Sequence, residues 1–299
     1  MTPDIKTRCW RAALRFLGSV NICLFVALTF HGKRYGAVGT YERAMRVLAI
    51  PYVFQTTWRC IFVSEYVDRK TMSDHPLNSV LVARLLAAVG EFCFGLQLAL
   101  ALHAATAGDA EEPLRGFLRP GNVALWLPAL DSAGQCCATY GTIARSNLPF
   151  LLEGLAWTAM FIVTWALAVY AGLGSDPMTR SLPEQTRQFL RMVPALTTPA
   201  LAYMVFAYCP LCYRAWMEEF KLVQGMKKKS DEGVDIADRH GRRGSLRDQA
   251  WEALTMRVPT QKWEDWQSEW MWQTLYFSIG TWCCLWLMAY PPLPAVRSF

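Results

Sequence analysis

The chain has 299 residues, a formal charge of +6, 53% apolar residues and only 18% charged ones. Soluble domains carry about 25% charged residues, and the charge-free runs at 154–175, 192–213 and 270–296 each exceed the roughly 20 residues that cross a bilayer. This argues against a water-soluble protein, which would break such runs into amphipathic faces. It argues against nucleic-acid binding too, because Lys and Arg flank apolar segments and form no stripe interleaved with aromatics.

The N-terminus carries Lys6, Arg8, Arg11 and Arg15 ahead of an apolar run from Phe16. No small-residue cleavage site follows before Gly32-Lys33, so the run is expected to stay as a first span over 15–31. An Arg-rich, acid-poor start also suits an organelle transit peptide, so an organelle membrane stays open as the location. Further spans are expected at 44–64, 78–103, 121–144, 148–174, 189–213 and 270–290. Backbone in hydrocarbon must satisfy its own hydrogen bonds, so these are helices. No alternating polarity suggests a barrel. The fold class is all-α: a polytopic transmembrane helical bundle of about seven spans. Pro51, Pro128, Pro194 and Pro199 fall within or near spans and can kink them. Pro210 is expected to end the sixth span, and Pro291-Pro292 the seventh.

Residues 1–213 thus read as a six-span bundle, 214–269 as a polar, partly disordered connection, and 270–299 as the last span with a short tail. Within the connection, Lys227-Lys228-Lys229 suits anionic lipid. Arg242-Arg243-Gly244-Ser245 has the form of a basic-directed phosphorylation site. Trp263, Trp266 and Trp270 recur at i, i+3 and i+7, which predicts an amphipathic helix lying in the interface before the last span. Lys and Arg near span ends are in modest excess on the N-terminal side, so the N-terminus is expected inside.

The expected spans contain five charges: Arg59, Arg84, Glu91, Asp131 and Glu153. Each costs roughly 2.5–3.5 kcal/mol on insertion scales, so such residues pair or serve a function. At about 1.5 Å per residue, Arg59, Arg84 and Glu153 fall in one layer of the inner half, and Glu91 and Asp131 lie nearer the midplane. Arg84, Ala87, Ala88, Glu91 and Gly95 share one helix face. Asp131, Gln135, Ala138 and Thr142 form a second stripe, and Glu153, Trp157, Met160 and Thr164 a third. These stripes are expected to converge. Three carboxylates then face two guanidiniums, an excess of one negative charge. Glu91 and Asp131 would bind or relay a cation or proton, Arg84 and Arg59 would tune them, and Glu153 would gate the inner side.

Other chemistry is weaker. Cys209-Pro210-Leu211-Cys212 is a CxxC at the end of the sixth span, a candidate redox pair. The other cysteines read as small buried hydrophobes. His31, His75, His103 and His240 have no ligand spacing, so no metal site is expected, and no cofactor is indicated. Phosphate-binding and nucleophile-elbow motifs are absent. The leading expectation is a membrane protein that transports or binds a cation, proton or small ligand at the charged cluster. The alternative is a structural or accessory subunit whose partners are lipid and other membrane subunits. A membrane-embedded enzyme ranks third.

Overall fold

The computed structural model describes residues 4–32, 39–106, 120–173, 183–231 and 245–292, and helix dominates it. In chain order come α1 (Ile5–Gly32), α2 (Thr40–Ile61), β1 (Lys70–Thr71), α3 (Val80–Thr106), α4 (Pro120–Ala124), α5 (Leu127–Ala144) and α6 (Leu148–Leu173). Then come α7 (Glu184–Tyr203), a π-helical turn (Met204–Tyr208), α8 (Cys209–Asp231), α9 (Leu246–Thr255) and β2 (Val258–Pro259). A 3₁₀ turn (Trp263–Asp265), α10 (Trp270–Leu275), a second π-helical turn (Tyr276–Gly280) and α11 (Thr281–Ala289) complete it.

All seven expected segments are helical. Four stretches are long and apolar enough to cross a membrane: Ile5–Phe30, Val80–Thr106, Leu148–Gly172 and Glu184–Gly225. The other three are diluted or interrupted. Glu42, Arg43, Arg46 and Arg59 lie within α2. The segment expected at 121–144 breaks before α5, whose first turn holds Pro128. Proline is tolerated there because its missing N–H lies among the unpaired donors of a helix start. The last segment runs as helix from Trp270 to Ala289 through its π turn, and Gln273 with several Trp and Tyr side chains dilutes its apolar character.

Three expectations are corrected. Pro210 does not end the sixth segment: helix runs from Glu184 to Asp231 through the π turn at Met204–Tyr208. The wide turn lies directly ahead of the residue that lacks an N–H, where a regular ladder would fail. At 1.5 Å per residue this rod is roughly 70 Å long, more than twice a hydrocarbon core of about 30 Å. The boundary expected at 214 therefore falls inside a helix.

Second, the connection carries regular structure in its described residues, 214–231 and 245–269. Ser245 caps α9: its Oγ accepts from the Asp248 N–H at 3.3 Å, while Asp248 Oδ2 accepts from the Ser245 N–H at 2.9 Å. Beyond α9, β2 pairs in parallel with β1, Val258 opposite Lys70. Arg242, Arg243 and Gly244 lie outside the described residues, as do the side chains of Lys227, Lys228 and Lys229.

Third, the tryptophan repeat is no interfacial helix. Only Trp263–Asp265 forms a 3₁₀ turn. Trp266 is wholly buried, and its ring lies 6.0 Å from that of Trp10 on α1. Trp263 meets Trp10 edge-on at 6.4 Å. Trp263 is half-buried and Trp270, 6.3 Å from it, is 42% exposed, so the three indoles do not share one face of a single helix.

These segments collect at one end of the bundle, the N-terminal face. Asp4 N–H donates to Gln261 O at 3.3 Å. Arg145 Nε donates to Val67 O at 3.1 Å. Arg69, wholly buried, donates through Nη2 to Ile143 O at 3.4 Å and Gln249 O at 3.5 Å, and pairs with Glu252 at 3.4 Å. Its cation thereby meets the carbonyl end of α5, where the helix dipole favours it.

The helices α2 and α3 approach closely at Gly90. A Cβ there would meet Pro51 O at 3.1 Å and Tyr52 Cα at 3.2 Å, so no larger residue fits without moving backbone. Away from the N-terminal face the interior is mainly apolar: Met45, Leu98, Leu102, Leu127, Met160 and Phe189 form one cluster with their neighbours, and the buried Gln97 beside it donates to Met45 O and Cys284 O at 3.1 Å.

Candidate functional site

The five charged side chains all turn inward, none more than 5% exposed. On the α3 face expected from the sevenfold spacing, Arg84, Ala87, Glu91 and Gly95 are buried and Ala88 is half-buried. Asp131, Gln135, Ala138 and Thr142 are buried on α5, and Glu153, Met160 and Thr164 on α6; Trp157 is half-buried. The three stripes converge as the spacing predicted.

Arg84 is the hub. Its Nη1 donates to Glu153 Oε1 at 3.2 Å and its Nη2 to Glu91 Oε2 at 3.4 Å. Nη2 also donates to Gln135 Oε1. Gln135 Nε2 donates to Glu91 Oε2 at 2.5 Å and to Asp131 Oδ1 at 3.1 Å. This is the only sensible amide orientation, since the flipped one would set an oxygen against two carboxylates and an NH₂ against a guanidinium. The amide thus bridges Glu91 to Asp131.

Arg59 is held differently. It lies 3.8 Å from Glu91 Oε1, a long ion pair. Its guanidinium carbon sits over four rings: Phe277 at 5.0 Å, Tyr276 at 5.2 Å, Tyr66 at 5.5 Å and Trp272 at 5.9 Å. Cations within about 6 Å of ring centroids are attracted by the ring quadrupole. Tyr66 also faces Arg84 at 5.8 Å and stacks on Phe150 at 6.3 Å, which closes the network toward the N-terminal face.

Four polar side chains of the site escaped the sequence reading. Tyr276 OH donates to Glu91 Oε1 at 2.5 Å and accepts from Gln55 Nε2 at 3.0 Å. Tyr208 OH donates to Glu153 Oε2 at 3.2 Å. Tyr66 lies between the two arginines. Tyr208 and Tyr276 occupy the two π turns, Tyr208 last in one and Tyr276 first in the other. Such turns redirect a side chain that a regular helix would aim elsewhere. Their signal in the sequence is faint: a hydroxyl inside each of two charge-free runs. Gln55 carries no charge and left no signal of its own.

Charge accounting distinguishes the carboxylates. Glu91 receives Arg84, Arg59, Gln135 and Tyr276. Glu153 receives Arg84 and Tyr208. Among the described residues Asp131 receives only the Gln135 amide, and its buried Oδ2 has no hydrogen-bond partner. Gly95 lies directly against it: a Cβ there would sit 3.4 Å from Oδ2.

The redox candidates stay together, one helical turn apart at the start of α8, with Cys212 beside Tyr208. Cys209 and Cys212 are half-buried free thiols, Cys209 Sγ 3.8 Å from Thr158 Oγ1. His75 stacks on Phe62 in the loop after α2, and His103 lies in the last turn of α3. His240 and the side chain of His31 lie outside the described residues. Among the described residues no group of three or more His, Cys, Asp or Glu side chains converges as a metal site.

Outside the helices, burial pushes the Glu65 carboxyl up to about 7, with Glu269 adding to the rise and the Val67 and Asp68 N–H groups opposing it. Asp265 is held below the usual carboxylate range by the Thr260 hydroxyl at 2.6 Å, helped by Lys70. Both belong to the loops that cover the N-terminal face. The chain matches no known protein family, no curated protein and no solved structure.

Proposed function

We propose that this is a polytopic membrane protein of seven spans, N-terminus inside, that binds or transports a small cation or proton at the network of Arg59, Arg84, Glu91, Asp131, Gln135 and Glu153. The observation that carries the reading is charge. Three carboxylates and two guanidiniums share one buried network, a formal excess of one negative charge. An uncompensated charge in such a medium is far costlier than a neutral polar group, so a positive species belongs there. Seven helical rods and the gathering of alternate connections at one face support the span count. Tyr208 and Tyr276 at π turns support movement, because such turns concentrate at functional sites.

In this reading Glu91 relays between Arg59, Tyr276 and the Gln135 amide. Arg84 holds Glu91 and Glu153 together, and Glu153 with Tyr208 controls access from the N-terminal face beside Tyr66. The test is flux into proteoliposomes of the full chain, with a trapped pH dye and with Na⁺ and K⁺ indicators. The isosteric pair Glu91→Gln and Asp131→Asn is expected to abolish ion-coupled flux while the fold is retained. Wild-type flux in the folded double variant overturns the assignment.

One observation favours a second reading, an accessory subunit of a larger membrane complex. On the long rod α7–α8, Phe220, Leu222 and Val223 are 45%, 59% and 44% exposed, well beyond the π turn. Apolar faces on a rod too long for the bilayer are normally covered by a partner. Stoichiometric co-purification in mild detergent supports this reading, and a monodisperse single chain counts against it.

A further inference from the structure

We infer that the species this network takes is a proton, and that Asp131 carries it. The inference rests on the network being a site, as proposed above, and names its ligand. The two guanidiniums are committed to Glu91 and Glu153, at 3.2–3.8 Å. Asp131 has no cation of its own, is 3% exposed, and leaves Oδ2 without a partner. The excess negative charge is therefore localised on one carboxylate.

The neighbours of Asp131 point to a proton over a metal ion. On α3 it is faced by Glu91, Arg84, Cys93 and the backbone at Gly95. On α6 it is faced by Glu153, and on its own helix by Gln135. The α9 side chain Glu252 pairs with Arg69 near Ile143, at the opposite end of α5. Gln135 Oε1 is already engaged by Arg84, and Glu91 Oε2 by Arg84 and Gln135. A hard cation needs several convergent oxygens, about 6–8 for calcium. Oδ2 instead faces the side-chain-free flank of α3 at Gly95, where even a Cβ would lie 3.4 Å from it. A proton needs only the one free oxygen, which it converts from an unpaired charge to a neutral hydroxyl. That removes most of the burial penalty.

Gln135 then acts as the positioning residue. Its amide holds Asp131 Oδ1 while donating to Glu91, so loss of the proton from Oδ2 would be felt at Glu91 through a fixed bridge. Gly95 lies beside Oδ2: a methyl there would meet it at 3.4 Å, an ordinary contact.

Infrared difference spectroscopy on the full chain in lipid nanodiscs at neutral pH tests this. The expected result is a protonated-carboxyl carbonyl band that moves on H/D exchange, disappears in Asp131→Asn and returns at a shifted frequency in Asp131→Glu. Should Asp131→Asn fail to fold, isotope labelling decides on the wild type: ¹³C-aspartate is expected to move the band and ¹³C-glutamate to leave it. A wild type without an acid band, a band unchanged in folded Asp131→Asn, or a band moved only by labelled glutamate overturns the inference. Loss of the wild-type band in saturating NaCl, KCl or CaCl₂ also overturns it, but leaves the network standing as a cation site. Absence of flux together with an intact Asp131 band would sink transport while the proton site survives.

Discussion

The two ends of one bundle are built on opposite principles from the same helices. Toward the N-terminal face, α3 contributes Arg84 and Glu91, which pair with each other, with Glu153 on α6 and with Gln135 on α5, while Arg84 Nε has no partner among the described residues. Toward the other face, the same helix contributes Leu98, Ala99 and Leu102, which pack against Met45, Leu127, Met160 and Phe189. Apolar packing in lipid is forgiving, because hydrocarbon tails substitute for a lost neighbour. A buried ion network is not, because removing one member strands the others. The comparison teaches where function can be sought: in the half where neighbours cannot be exchanged.

The largest expected effect breaks the network at its hub. Arg84→Leu strands Glu91 and Glu153 together, and is expected to destabilise the folded protein by about 3–5 kcal/mol. Removing Glu153 in the same chain as Glu153→Gln is expected to recover part of that loss, and equilibrium unfolding in detergent reads both. Additive losses would mean the two residues are not coupled. In the apolar half, Leu102→Ala is expected to cost about 2 kcal/mol, the low end of the core range, since lipid and not water is the alternative surrounding. A cost equal to that of Arg84→Leu would erase the contrast between the two halves.

Smaller effects sharpen the account of the N-terminal face. Ser245→Ala removes the cap of α9 and is expected to cost about 1 kcal/mol, read as faster amide exchange over Leu246–Thr255 with the rest unchanged. The smallest effect is a pH dependence. Glu65 has its folded value raised to about 7 from an ordinary 4.5, so the folded state binds that proton more tightly than the unfolded one. The stabilisation is therefore present at low pH and fades as pH climbs from about 5 to 7. Protease sensitivity of the loop after α2 is expected to rise across that window and to become flat in Glu65→Gln.

The sequence determined the class of the molecule and the faces of three helices. Long charge-free runs point to helices apolar enough to cross a membrane, and sevenfold or fourfold spacing of Arg84, Glu91, Asp131 and Gln135 fixes which sides turn inward. These are properties of one helix at a time, so periodicity reports them. The pairings were different. That Arg84 holds both Glu91 and Glu153, that Arg59 rests among four rings, and that Asp131 is left unpaired depend on how helices face one another across the bundle. Helix ends beyond Pro210 and the burial of Trp266 were equally hidden. A π turn is decided by packing around the proline, and an indole stripe looks alike whether lipid or α1 receives it. Only the tertiary structure separates the three carboxylates, because a carboxylate's partners come from other helices and its own stretch of chain carries no record of them.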